Sequence, residues 1–252
     1  MPVPTRGTGH HRSDSNTMRD SYHEQLDDIL AELERMTRTV STAVRRSTAA
    51  LLEADIRKAE EVIAADIQLD AAGEGVEEKV FELMARQSPV ANELRMLVAA
   101  LRMVADLERM GDLASHVSKI ARMRYPAPAI PNELHDVIEA MGSVAGKMVD
   151  AAGDVIASRD VEAAEKLEAS DDEMDKLRSN QFRLMMDEHW PHGVEVAVDM
   201  ALLSRYYERI SDHAVAMARR VVYLVTGELP VAIGGTAAGS GAGASAPNPN
   251  GN

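Results

Sequence analysis

The chain has 252 residues, of which 45% are hydrophobic, 27% charged and only 3% aromatic, and none is cysteine. That length suits one large domain or two small ones, and the lack of thiols excludes a disulfide framework and a thiolate metal site. Forty-one acidic residues against 27 basic give a net charge of -14. No basic run exceeds Arg45-Arg46 or Arg219-Arg220, so the electrostatic footprint of a nucleic-acid binder is missing, and the acidic surface is compatible with basic protein partners or with cations.

In chain order, residues 1–17 (MPVPTRGTGHHRSDSNT) lack the apolar core of a signal peptide. They read as a disordered N-terminal extension, with Met18 as a second candidate start. From about residue 20 to 226 strand signals are scarce. Ala, Leu, Met, Glu and Arg dominate, and apolar residues recur at helical spacing. A first helix is expected from Ser21 to Leu52. Asp55 then caps a second helix that runs to about Gln87, with Gly73 and Gly75 placed to bend it. Ser88-Pro89 starts a third, with Ser as cap and Pro in the first turn, ending near Arg124.

The stretch Tyr125-Pro-Ala-Pro-Ala-Ile-Pro131 cannot continue a helix. A fourth helix follows from about Glu133 to Ser158, Asp160 caps a fifth that ends near Trp190-Pro191-His192-Gly193, and a sixth stops at Gly227. Residues 228–252 read as a disordered Gly/Ala/Ser/Pro tail. No run of about 18 apolar residues is present, so no membrane-spanning helix is expected. The chain is expected to be cytoplasmic.

The pattern is three helices, a linker and three helices. Glu108-Arg-Met-Gly-Asp112 recurs as Glu208-Arg-Ile-Ser-Asp212, one hundred residues on. On the second helices, Asp55, Ala59, Glu60, Asp66 and Asp70 match Asp160, Ala164, Glu165, Asp171 and Asp175 at an offset of 105. The expected architecture is all-α, two tandem three-helix up-down bundles over 18–125 and 132–227, joined by a Pro-rich linker at 126–131. Helices this long with short breaks pack antiparallel.

At about 100° per residue, Leu97, Leu101, Val104, Glu108, Asp112 and Ser115 share one stripe, while Asp106 points outward. On the second helix Ala59, Val62, Ile63, Asp66, Asp70, Val80 and Met84 align. In the repeat Ala164, Leu167, Asp171, Met174, Asp175, Phe182 and Met185 do. Small residues (Ala197, Ala201, Ser204, Ser211) line the sixth helix. Each repeat thus offers two acidic pairs: Asp66/Asp70 with Glu108/Asp112, and Asp171/Asp175 with Glu208/Asp212.

Three readings stay open. The carboxylates could be solvated surface charges, partners in salt bridges to Arg102, Arg109, Arg205 or Arg209, or ligands for a hard cation. His116 stands one turn past Asp112 as an additional ligand or a surface histidine. The chain has no Glu-x-x-His of the ferritin-like class, no zincin motif, no Gly-x-Ser-x-Gly and no phosphate-binding Gly loop. Its 15 methionines are suited to filling bundle cores.

The segments DLERMGDLASH and YYERISDHAVA, with ADIQLD, SDDEMD and RQSPVANELR, resemble the PhoU family over Met18 to Thr226. The resemblance implies a non-enzymatic bacterial regulator of phosphate uptake and of the phosphate-starvation response. It implies a cytoplasmic, often homodimeric protein that contacts a phosphate ABC transporter ATPase and a sensor histidine kinase. It would meet the membrane only through those partners. The two acidic sets would then be sites for iron or zinc clusters. Ser211 in place of Gly111, and His213 in place of Leu113, are departures that make the two copies unequal. The alternative is a metal-binding helical protein or a metal-dependent hydrolase.

Overall fold

A computed structural model describes residues 11–86 and 89–228, and among these no strand occurs. The helices are α1 (His11–Leu52), α2 (Ile56–Arg86), α3 (Ala91–Arg124), α4 (His135–Ser158), α5 (Val161–Ala169), α6 (Asp171–Met185) and α7 (Gly193–Thr226), with a 3-10 turn at Asn132–Leu134. The first helix begins at His11, not Ser21, so residues 11–17 are helical where disorder was expected. The expected tail from 229 onward lies outside the described residues.

Both repeats turn from first to second helix with the same device. Ala54 (φ 51) and Arg159 (φ 55) occupy the left-handed region. The next residue is the capping aspartate in each case. Asp55 Oδ1 accepts from the Arg57 and Lys58 N–H groups at 3.0 and 3.2 Å. Asp160 Oδ1 accepts from Glu162 and Ala163 at 2.9 and 3.2 Å. These bonds satisfy N–H groups that a helix start leaves without partners.

Three local expectations change. Helix α2 runs unbroken through Gly73 and Gly75, because Gly73 is used for close packing and not for a bend. Helix α3 starts at Ala91, beyond Pro89, and Glu93 Oε2 accepts from the Val90 N–H at 2.9 Å. Ser88, the expected cap, lies outside the described residues. The fifth segment is divided at Ser170, whose hydroxyl donates to the Lys166 carbonyl at 3.0 Å while its N–H turns to Leu167 at 3.1 Å. A serine bonding back along its own helix competes with the backbone ladder; Ala65, at the matching position, leaves α2 continuous.

Helices α1, α2 and α3 pack together, as do α4, α5, α6 and α7. The two bundles share one continuous core, because α1 lies along α4 and α3 along α7. In the antiparallel α1–α4 seam, Thr37 faces Gly153 and Thr48 faces Gly142, and a Cβ at either glycine would strike the threonine. Ser41 Oγ donates to the Gly146 carbonyl at 3.2 Å, and Arg45 reaches Asp150 at 2.5 Å. The buried Thr48 and Tyr207 hydroxyls share a 2.8 Å hydrogen bond that ties α1 to α7. The linker is no tether in solvent, since Ala129 and Ile130 are buried in the common core.

The α3–α7 joint is charged. Arg124 Nε bonds Asp199 Oδ2 at 2.6 Å and Nη1 bonds Glu195. Asp106 Oδ1 lies 3.0 Å from His213 Nδ1, and its other oxygen bonds Arg220. Between these pairs His116 stacks on Tyr206 with ring centres 5.4 Å apart. Asp106 was expected to point outward; it is buried. Helix α3 buries two faces, one in its own repeat and one against α7, so a single-stripe reading cannot place it.

Loss of the Asp106 carboxylate would strand Arg220 and His213 in the joint. Asp106→Ala is expected to cost about 3 kcal/mol, read from the urea midpoint. Asp27→Ala, which breaks an exposed 2.9 Å pair with Arg159, should cost less than about 1 kcal/mol.

Candidate functional site

Helices α2 and α3 cross where each has a glycine. A Cβ on Gly73 would collide with Glu108 Oε1 and come within 3.0 Å of Val104. A Cβ on Gly111 would strike Leu69 and approach Asp66 Oδ1 to 3.0 Å. The close crossing brings carboxylates of both helices to one edge. Asp66 and Glu108 are half-buried, whereas Asp70 and Asp112 are exposed. The inward stripe therefore carries one acidic residue per helix, not two. The second repeat repeats this: Asp171 and Glu208 are half-buried, Asp175 and Asp212 exposed. Phe182, expected inside, is exposed, and the adjacent Gln181 is buried with its amide donating to the Met200 carbonyl at 2.5 Å.

The first-repeat carboxylates repel one another. Burial, then Asp112 and Asp70, push the Asp66 pKa up. Burial, then Asp70, Glu77, Asp112 and Glu74, push Glu108 up. Lys119 acts on Asp66 through space, Arg109 lies 3.7 Å from Asp112, and Arg38 and Arg46 line the same cavity as Asp66. In the second repeat Arg178 and Arg205 each bond a different oxygen of Glu208, and Arg178 also lies 3.9 Å from Asp175. Burial first, and then neighbouring carboxylates, raise Asp171 and Asp212 as well.

Among the described residues no three His, Asp or Glu side chains gather closely enough to hold a metal ion. Salt bridges reach both sets: the expected Arg109 lies 3.7 Å from Asp112 in the first repeat, and the expected Arg205 and the unexpected Arg178 bond Glu208 in the second. Aligning Gly73 with Arg178 at the 105 offset is the signal that finds the latter. His116 is exposed and occupied in its stack on Tyr206.

A second repeated feature lies on the outer face. Leu94 and Val98 on α3, and Val194 and Val198 on α7, are exposed at matching positions. Val90 and Leu202 extend the two strips, and Phe81 on α2 and Met186 just past α6 are likewise exposed equivalents. Large apolar residues exposed at successive turns mark protein contact surfaces. Periodicity alone missed them, because it gives an apolar residue at a helix start the same reading whether core or partner covers it. Beside the second carboxylate set runs a groove of about 900 Å³ lined by Glu165, Glu168, Asp171, Asp172 and Asp175, with Arg219 paired to Glu168. Among the described residues no helix is long and apolar enough to cross a membrane.

The PhoU domain model matches residues 33–121 and 138–221. The phosphate-specific transport system accessory protein PhoU homolog 2 of Mycobacterium tuberculosis is 46% identical over 213 residues, covering 84% of this chain and 100% of that protein. PhoU homolog 1 of Mycobacterium leprae is 44% identical, covering 84% and 96%. The crystal structure of PhoU from Pseudomonas aeruginosa superposes with a TM-score of 0.73 at 28% identity, covering 82% of this chain and all of that one. The phosphate transport system regulatory protein PhoU from Streptococcus pneumoniae, at 20% identity and a TM-score of 0.74, shares the fold.

Two outcomes follow from the crossing. Nothing lies within 4 Å of a Cβ added to Gly75, so Gly75→Ala should stabilise by about 0.5–1 kcal/mol. Gly73→Ala should instead cost about 1–3 kcal/mol through overpacking, and thermal melts of the two variants separate the cases. The carboxylates give a pH signature. With folded-state pKa values raised, Asp66 and Glu108 bind protons more tightly in the folded chain than in the unfolded one between the two pKa values. Their penalty is absent where both states are protonated and grows as pH rises through the raised values. Glu108→Gln should therefore melt higher than wild type at neutral pH, and the difference should fade below about pH 4.

Proposed function

The chain belongs to the PhoU family, and on that premise we propose that it is a negative regulator of phosphate uptake and of the phosphate-starvation response. It acts in the cytoplasm, as a homodimer, by contacts with a phosphate ABC transporter ATPase and a sensor histidine kinase. The observation that carries this reading is the pair of outward apolar strips, Leu94/Val98 and Val194/Val198, repeated at the offset of the acidic motif. A scaffold that bridges partners needs such surfaces, and they serve no purpose in the protein's own core. The proposal includes no catalytic residue; the relatives' names describe accessory and regulatory proteins.

The first-repeat set, Asp66, Asp70, Glu108 and Asp112, is the place for iron or zinc in this reading, after side-chain movement gathers the ligands. Burial raises both Asp66 and Glu108 first, and Asp70 and Asp112 then repel each of them; this supports the reading, because a cation would relieve that repulsion. A stand-alone metal store or hydrolase is not favoured beside relatives named for phosphate transport.

The test is crosslinking and capture from phosphate-replete cells, with Val98→Glu plus Val198→Glu as the comparison. Wild type should recover the transporter ATPase or the kinase. The variant should lose at least tenfold of that recovery at unchanged helicity. Mycobacterium tuberculosis has both a homolog 1 and a homolog 2, so deletion belongs in a strain without a second copy. There it should raise starvation-gene expression in phosphate-rich medium, and unchanged expression would count against the regulatory role.

A further inference from the structure

The two acidic sets differ at two positions that both face the same glutamate. Glu108 in the first repeat packs over Gly73, and the residue one turn before it on the outer side is Ala105. In the second repeat the equivalents of Gly73 and Ala105 are Arg178 and Arg205. Both guanidiniums bond Glu208, one to each carboxylate oxygen. A guanidinium offers donors but no acceptor, so a carboxylate with a guanidinium on each oxygen is neutralised on the sides where a metal ion would approach. The Glu208 side chain is only 12% exposed and Arg178 38%, so the pair is partly withdrawn from solvent. Arg178 also stands within 3.9 Å of Asp175 and covers the Phe182 ring at 5.9 Å.

We propose that Arg178 is the resident counter-ion of the second repeat, holding the place a metal would take between α6 and α7 and excluding metal from that copy. The duplicated motif is then split in role. The first copy, with Gly73 and Ala105, has no guanidinium at either position. The second copy carries its cation covalently, as a side chain that bridges two helices. On this reading the second half of the chain does not fit the family's metal. The inference concerns the chain's own residues and stands whether or not the regulatory reading holds.

Two measurements test it. In a double-mutant cycle, Arg178→Gln should lower Tm by about 2–4 °C in the wild-type background and by much less in an E208Q background. Equal losses in both backgrounds would refute the pairing. For cation exclusion, the first repeat is silenced with D66N/E108Q. Roughly millimolar Mn2+ should then leave Tm unchanged while Arg178 and Arg205 are present. Adding R178G and R205A should produce a Tm rise with Mn2+ that D171N abolishes. A Mn2+-dependent rise in the silenced protein with both arginines intact, lost on D171N, would overturn the proposal. So would the absence of any gain on removing them.

Discussion

The antiparallel contact of α3 with α7 is the constraint on which the arrangement depends. Each of these helices is the last of its repeat and must bury one face in its own bundle. Each must also bury a second face against the other. Charged groups set the register of that second contact. Asp106 meets His213 and Arg220 toward one end, and Arg124 meets Asp199 and Glu195 toward the other. Half-satisfied buried charges are costly, so sliding one helix past the other by a turn would strand both sets. The polar joint thus fixes one alignment where apolar packing alone would tolerate several.

With that alignment set, the α1–α4 seam needs close approach, and three glycines on α4 receive Thr37, Ser41, Arg45 and Thr48 from α1. The result is one core drawn from both repeats. It differs from two beads on a string, and the buried Ala129 and Ile130 make even the linker part of it. Both ends of the α3–α7 pair then present an apolar strip on the outside. A duplicated bundle fused in this way offers two similar apolar surfaces on one shared core.

The acidic sets show how duplication permits divergence. In the first copy, glycine at positions 73 and 111 lets α2 and α3 cross so closely that burial, and then neighbouring carboxylates, raise the pKa of Asp66 and Glu108. In the second copy serine replaces one glycine and arginine the other, and the charge is balanced internally. The backbone devices remained the same, as the matched left-handed residues before Asp55 and Asp160 show.

Much of this protein was legible in its sequence. Helical spacing, the capping aspartates, Gly227 and the repeated Glu-Arg-x-x-Asp placed the helices and the duplication, because these are local properties of a chain that forms helix nearly everywhere. Sequence also grouped Asp66/Asp70 with Glu108/Asp112 and Asp171/Asp175 with Glu208/Asp212 as two acidic sets. Tertiary structure decided which carboxylates face inward, since Asp70, Asp112, Asp175 and Asp212 lie on the same nominal stripes and yet are exposed. It decided that Asp106 is buried and that Arg178 neutralises Glu208. A helical wheel defines one apolar direction. A helix packed against three neighbours has several, and only their positions show which charge meets which.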